Sequence, residues 1–527
     1  MIRTRGVLAV AFSTTLLIPA VASAATLTVG PGKMYATPCA AIGAASAGDT
    51  VLVSPGTAAY TDSCAIGVPG LTVRGVDGRP KVDLSGTIPV PNEKGIYDIT
   101  ADDVTLDNLE LTGASVGDSA AGLGANGAGI RDEASGLVVL NCFVHDNQDG
   151  ILATPSSSGS TLTVEYTELD HNALGDGCSS PGCTHNIYVG SSNMETLVFA
   201  FNWSHDAGDG NAAGSGHLLK TRAQNNYILY NALLGETGTE SYELDIPQGG
   251  LSVVVGNVIE KSPNAENPIL LSYAEEGLSN TSGDLYVVNN TFVSDDTATS
   301  VTFIKAAAGT LMAHNNLFSG MGAASTTGAL SADNLSPSNP LFAAPSTYDY
   351  HLLAGSPAIG QGVSAGSAGS FSLTPVYEYV QPVESVLRKV GSSLDVGAFQ
   401  YGTALAGAGQ SASLAPSDAG VVSCDDASVP AGDGGLGSGS GASSGPGSGT
   451  GSGASRGSES GSSSTRRAST DAGRQDAGSS SPASGSGCGC TVTGAPSTPR
   501  LPYLAFGLAV TGALALRRRR ERASLRG

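Results

Sequence analysis

Between His185 and Gly250 the chain concentrates side chains that can move protons or hold charge: His185, Tyr188, His217, Lys220, Arg222, Tyr242, Glu243 and Asp245. Lys220 and Arg222 lie two residues apart, as do Glu243 and Asp245. In an extended strand that spacing puts both members of a pair on one face. A guanidinium beside a lysine disfavours the charged amine, which suits a general base. Arg222 can grip a carboxylate through two parallel hydrogen bonds. Tyr188 or Tyr242 can deliver a proton to a leaving oxygen, with His217 nearby. Glu243 and Asp245 offer oxygens to a hard cation such as Ca²⁺. His185, Asn186 and Ser272 border the group and are candidate ligand contacts.

These residues come together only if three segments stack side by side. Aligning the segments by their histidines and asparagines puts Tyr188 and Asp245 on either side of Lys220, and Tyr242 beside His217, provided SYELDIPQGG carries one extra residue. A one-residue slip would turn every side chain to the other face. The plain alternative is structural. A Lys beside an Asp on neighbouring strands is often an ion pair worth about 0–1 kcal/mol, and His217 is then a satisfied, half-buried ring.

The wider chain supplies the stacking. Hydrophobic, β-branched runs end in Asn at Asn108, Asn141, Asn202, Asn231, Asn257, Asn290 and Asn316, and Tyr166 takes the same place in LTVEYTELDHN. Successive steps are 33, 25, 36, 29, 26, 33 and 26 residues. Short runs of this type separated by Gly, Asn, Asp and Ser are strands, and a recurring period is a solenoid. The fold class is all-β: a right-handed parallel β-helix, single-stranded, with about three short strands per coil. Asn at the recurring bend tolerates the left-handed conformation and can bond to the coils above and below. Thr26–Val29, a helical stretch Cys39–Ala47 and the strand Thr50–Val53 read as an N-terminal cap over the open core.

With its repeats and its end segments NPLFAAPSTYDYHLLAGSPAIGQG and DVGAFQYG, which look like a closing coil, residues 26–402 resemble the secreted bacterial right-handed β-helix repeat proteins. Pectate lyases, other polysaccharide lyases, epimerases and some glycosidases share that fold. The resemblance implies a polysaccharide or cell-surface glycan as partner and proton abstraction next to a uronate carboxylate as chemistry. It implies Lys220 or Arg222 as base and Ca²⁺ as a possible cofactor on Glu243 and Asp245. It speaks for fold more than for activity, and a glycan-binding or adhesion protein without catalysis is the alternative. The paired motifs of polygalacturonase-type glycosidases are absent: Gly216-His217 lacks a second Gly, and Lys220-Thr221-Arg222 runs in reverse order. No P-loop, dinucleotide or zinc-finger spacing occurs. Asp206-Ala207-Gly208-Asp209-Gly210 is a fragment of a Ca²⁺ loop without its closing Glu.

The ends and the charge place this body. Arg3 and Arg5, the apolar run Val7–Val21 and Ala22-Ser23-Ala24 are a signal-peptide pattern over 1–24. Export permits disulfides; Cys39–Cys64 and Cys178–Cys183 are the expected pairs, with Cys142 a buried thiol. Residues 25–401 hold 12 Lys and Arg against 38 Asp and Glu, a net charge of −26. Such a body repels nucleic acid and makes the Lys220/Arg222 pair conspicuous. Residues 403–487 are Gly/Ser-rich and read as a disordered linker. Residues 488–527 carry Cys488 and Cys490, the apolar run Leu501–Leu516 and Arg517–Arg520. This resembles the tripartite sorting tail of myxobacterial surface proteins. It implies a short transmembrane helix, cleavage by a sorting protease and a body tethered at the cell surface; a plain C-terminal anchor is the alternative.

Overall fold

Each coil contributes one strand to each of three parallel sheets, and each strand pairs with its counterpart one coil away. In the computed structural model the described residues are 23–87, 90, 92–116, 126–173, 184–208, 216–298, 300–326, 330–389, 391 and 393–403. Among them sheet A has eleven strands, sheet B nine and sheet C ten. The chain is an all-β parallel β-helix. Inward residues of the three sheets (Leu197, Phe199, Ile228, Val254 and Val287 from A, Leu169 and Ile259 from B, Ile187 and Leu244 from C) form one continuous core. The cap is as expected, except that its helix is a single short segment, Pro38–Ile42, started by Thr37 and closed at Gly43. Cys39 and Cys64 are disulfide-bonded with their Cα atoms 5.8 Å apart, and Cys142 is a free, buried thiol. No helix among the described residues is long and apolar enough to cross a membrane. The signal segment, Cys178–Cys183, the linker and the tail with Cys488 and Cys490 lie outside the described residues.

The bend between sheets A and B departs from the expected arrangement. The left-handed residue is not the recurring Asn of the later coils but the residue before it: Phe201 (φ 58°), Tyr230 (φ 54°), Asn289 (φ 52°) and Asn315 (φ 55°). Only Asn108 and Asn141 themselves adopt that conformation. The next residue turns inward. There Asn202, Asn231, Asn257, Asn290 and Asn316 form a fully buried ladder. Each side-chain oxygen accepts the backbone N–H of the coil before: Asn202 N to Asn231 Oδ1 at 2.8 Å, Asn231 N to Asn257 Oδ1 at 2.8 Å, and Asn257 N to Asn290 Oδ1 at 2.9 Å. Each amide also donates to a backbone carbonyl of the coil before, as Asn257 does to Ile228 O at 2.8 Å. A bend in a parallel stack leaves backbone groups unpaired, and an amide side chain carries both the donor and the acceptor needed there. A second, shorter ladder (Asn147, Asn172, Asn186) does the same at the bend from sheet B to sheet C, with Asn147 N to Asn172 Oδ1 and Asn172 N to Asn186 Oδ1 both at 3.1 Å.

The closing segment is also placed differently from the expected final coil. It makes short antiparallel hairpins, Phe342–Ala344 with Asp349–Leu352 and Tyr377–Val380 with Glu384–Leu387. These lie back along the outside of the stack. The cause is the row of rings left facing outward by the left-handed bend: Tyr166, Phe201 and Tyr230 stack at centroid distances of 4.8 and 5.4 Å. Tyr377, Leu373 and Val383 cover them, and Tyr230 Oη accepts from Val376 N at 2.9 Å.

Replacing Asn257 by Ala strands the Asn231 N–H in a dry bend. The expected loss is about 3 kcal/mol, read as a lowered urea midpoint. Asn225→Ala, whose bonds lie at the surface, should stay within about 0.5 kcal/mol of the parent.

Candidate functional site

Short strands of sheet C carry the candidate residues. Ile187–Val189, Leu219–Thr221 and Leu244–Ile246 are three neighbouring strands, followed by Ile269–Tyr273. Their register sets Tyr188 opposite Lys220, Lys220 opposite Asp245, and Asp245 opposite Ser272. Leu219, Leu244 and Leu271 point into the core on the alternate face, so the pleat sends the row Tyr188, Lys220, Asp245 and Ser272 outward.

The row is tightly connected. Lys220 Nζ lies 3.4 Å from Asp245 Oδ2 and 5.7 Å from the centre of the Tyr188 ring. Arg222 Nε donates to Tyr188 Oη at 3.0 Å, and its two terminal nitrogens grip Glu276, one of them at 2.9 Å. That pairing with Glu276 raises the Arg222 pKa and lowers the Glu276 pKa. His185, His217 and Tyr242 form a second row just before these strands begin, with both histidines buried. Their rings are 4.6 Å apart from His185 to His217 and 5.0 Å from His217 to Tyr242. Burial pushes the pKa of both histidines down. His217 Nε2 faces Asp245 Oδ2 at 3.4 Å. Burial raises the Asp245 carboxyl, but His217 and Lys220 outweigh it and the net shift is downward. Burial and the neighbouring Glu275 push the Tyr242 phenol up to about 12. Its hydroxyl donates to Glu275 at 3.1 Å.

Two expected contacts are spent elsewhere. Asn186 is fully buried and belongs to the second ladder. Its amide donates to Leu169 O, Ser204 Oγ and His205 O at 3.1, 3.1 and 2.8 Å, so it has no group left for a ligand. His185 is buried beneath Tyr188 and accepts the His217 N–H on Nδ1 at 3.1 Å. Glu243 and Asp245 do not form a common donor set. The Glu243 carboxylate faces Lys261 Nζ at 2.7 Å, with both side chains fully buried. Period-two alternation fails for Glu243 because it precedes the short strand that begins at Leu244. A Ca²⁺ ion therefore does not fit the expected pair. Acid and histidine groups that could hold a metal ion do exist, on the outer side of sheet B: Glu168, Asp170, His171, His205, Asp206 and Glu236. Sequence reading passed over them except for Asp206. Their signal was a repeated outward pair on successive coils, Phe143/His145, Glu168/Asp170 and Trp203/His205.

With this geometry in view, comparison with known proteins adds little. No family model matches the chain, and no curated protein matches it. Among solved structures, pectate lyase Pel9A is 14% identical, over 72% of this chain and 97% of its own, with a TM-score of 0.43. The pectin methylesterase from Aspergillus niger is 13% identical, over 60% of this chain and 92% of its own, at 0.26. Escherichia coli YbhC is 13% identical, over 53% and 74%, at 0.31. None of these likenesses assigns an activity or a residue role.

Two outcomes follow from the buried charges near the site. Lys261→Met strands Glu243 and its neighbour Glu240 and should cost about 3–5 kcal/mol, whereas Lys261→Met with Glu243→Leu should recover most of it; urea unfolding separates the two. Asp149 lies fully buried below the site, with Oδ1 accepting from His185 N at 2.8 Å. Burial pushes its carboxyl up to about 8, and that of Asp132 to about 7. A carboxyl with a raised pKa in the fold stabilises the fold while protonated. That contribution is complete below the unfolded value of about 3.9 and is lost as pH rises through the folded value. Melting temperature should therefore fall between about pH 4 and about pH 8, and Asp149→Asn should flatten the fall in a calorimetric pH series.

Proposed function

We propose that the outer face of sheet C binds an acidic polysaccharide and acts on it by lyase or epimerase chemistry at Lys220. The carrying observation is that Lys220 and Arg222 stand together on one solvent-facing row of a body with net charge −26. A cationic spot on a strongly acidic surface attracts an anionic chain locally while the remainder repels it. Arg222 would exchange its grip on Glu276 for a uronate carboxylate, since the same fork binds either. Lys220 Nζ would remove the proton on the carbon next to that carboxylate. The electron pair left behind would form the double bond as the glycosidic oxygen departs. Tyr188, whose hydroxyl accepts from Arg222, would hand that oxygen a proton; re-protonation of the carbon from the opposite face would give epimerisation instead. Charge neutralisation falls to Arg222, because Glu243 is committed to Lys261.

A second reading has its own support. Lys220 already faces Asp245, and Arg222 already pairs with Glu276. A preformed ion-pair network suits a non-catalytic module that binds glycan at a cell surface. In both readings the leader at 1–24 and the tail at 488–527 would export the body and tether it to the envelope through the membrane and a sorting protease; residue patterns alone support that placement.

The test is the ultraviolet absorbance of unsaturated product from pectate, alginate and glycosaminoglycan chains, beside a coupled assay for epimerised residues. Lys220→Ala should lower kcat by about 10²–10⁴-fold with KM little changed, and Arg222→Lys should mainly raise KM. No turnover on any chain, with glycan affinity lost in Lys220→Ala, would replace the enzyme with the binding module.

A further inference from the structure

The outer side of sheet B holds a different centre, away from the Lys220 row. His205 ends the strand Trp203–His205 and is 5% exposed. Its ring lies flat on Trp203, with centroids 3.8 Å apart and planes 10° apart. Four carboxylates surround it. Nδ1 is 3.5 Å from Asp170 Oδ1, 3.6 Å from Asp206 Oδ2 and 3.7 Å from Glu236 Oε1. Nε2 is 3.5 Å from Glu168 Oε1.

None of these four contacts is a hydrogen bond, and both buried ring nitrogens lack a hydrogen-bond partner. Three other histidines close on a neighbouring carboxylate, His145 to Asp146 at 2.7 Å, His314 to Asp333 at 2.8 Å and His351 to Asp349 at 2.7 Å, whereas His217 stands 3.4 Å from Asp245. At His205 three carboxylates stand back from one nitrogen by nearly the same distance. Two donors each about 2.1 Å from one ion, at a tetrahedral angle, lie roughly 3.4 Å apart. Among the described residues no lysine or arginine forms an ion pair with any of the four carboxylates, so their charge is offset only by histidine.

Asp206 is also held from behind. Thr237 donates its N–H and its hydroxyl to Asp206 Oδ1 at 2.9 and 2.8 Å, leaving Oδ2 toward the ring. Trp203 Nε1 donates to Glu236 Oε1 at 3.2 Å and His171 Nδ1 pairs with Asp170 Oδ1, in each case on the oxygen that faces His205. Outer-sphere partners of this kind fix the orientation of metal ligands. Asp206 is set there by the bend itself, where it takes a left-handed φ of 45°.

We propose that His205 Nδ1, Asp206 and Glu236, whose ligand atoms all lie within 4.8 Å of one another, form a binding site for a divalent first-row metal ion of the Mn²⁺ or Zn²⁺ class. One imidazole with two carboxylates favours such an ion over Ca²⁺, which takes oxygen ligands throughout. Metal binding displaces any second proton on the ring, so affinity rises with pH.

Mn²⁺ is the better probe, because its preference for oxygen and imidazole donors avoids the thiols of Cys488 and Cys490. The full chain, stripped with chelator, is titrated with Mn²⁺ and the free ion is followed by its paramagnetic resonance signal. The expected result is one ion per chain, with Kd raised at least about tenfold in His205→Ala and in Asp206→Asn and unchanged in Lys220→Ala. Asp206→Asn is isosteric and keeps a decision available if His205→Ala does not fold. Absence of Mn²⁺ binding by the parent chain, or equal binding by Asp206→Asn, would overturn the site and leave His205 as an imidazolium caged by acids.

Discussion

The asparagine ladder is the contact on which the stack depends. Parallel strands pair evenly along their length, but a coil that turns sharply breaks that pattern at every bend. Buried backbone groups must find partners there or the bend costs more than the core returns. Asn202 through Asn316 supply those partners from inside, each side-chain oxygen accepting from the coil before and each amide nitrogen donating to the Asn oxygen of the coil after. Because the ladder is continuous, successive coils are locked in one register. That register is what lines up Tyr188, Lys220 and Asp245 on one side of the molecule and Glu168, His205 and Glu236 on another.

The ladder has a cost that the closing segment offsets. Turning Asn202, Asn231 or, one coil earlier, Thr167 inward places a left-handed residue just before it, and in these three coils that residue is aromatic. Tyr166, Phe201 and Tyr230 would otherwise form an exposed apolar stripe. The hairpins around Tyr377 cover it, and the same segment reaches sheet B, where Tyr348, Tyr379 and Phe399 border a cavity of about 290 Å³ beside Leu234. The polar row of sheet C is only partly exposed: Asp245 and Ser272 are buried, and the Lys220 and Arg222 side chains are each 15% exposed. The two chemically equipped faces differ accordingly. One is a half-buried mixed-charge row, and the other is a nearly buried acid–histidine centre.

Buried charge in the stack follows the same logic of paired satisfaction. Lys261 and Glu243 are both inaccessible and face each other, with Lys261 Nζ also donating to Ser241 O at 3.0 Å. Arg388 is buried among carbonyls of Gly397 and Ala398 and lies near Glu378. Each removes one of the few basic residues from the surface, which leaves Lys220 and Arg222 more prominent than the sequence count suggests.

Much of this was legible in the sequence because it is local. The period of β-branched runs, the recurrent Asn, the disulfide across the first repeat and the cap all follow from spacing and propensity, and the stacking of Tyr188, Lys220, Asp245 and Ser272 follows from period-two alternation applied to aligned runs. What local pattern could not decide was which residue of each bend points inward. A left-handed bend and an inward amide are one residue apart, and only the pairing of backbone groups between coils separates them. The same limit hid the inward turn of Glu243 toward Lys261, the use of Asn186 as a ladder rung, and the convergence of Glu168, Asp170, His205, Asp206 and Glu236 from three coils. The sequence by itself determined a parallel β-helix with an outward basic row, since both depend on periods along the chain. The tertiary structure alone decided which charges are paired, buried or free to meet a ligand, because those depend on distances between coils that no spacing within a coil encodes.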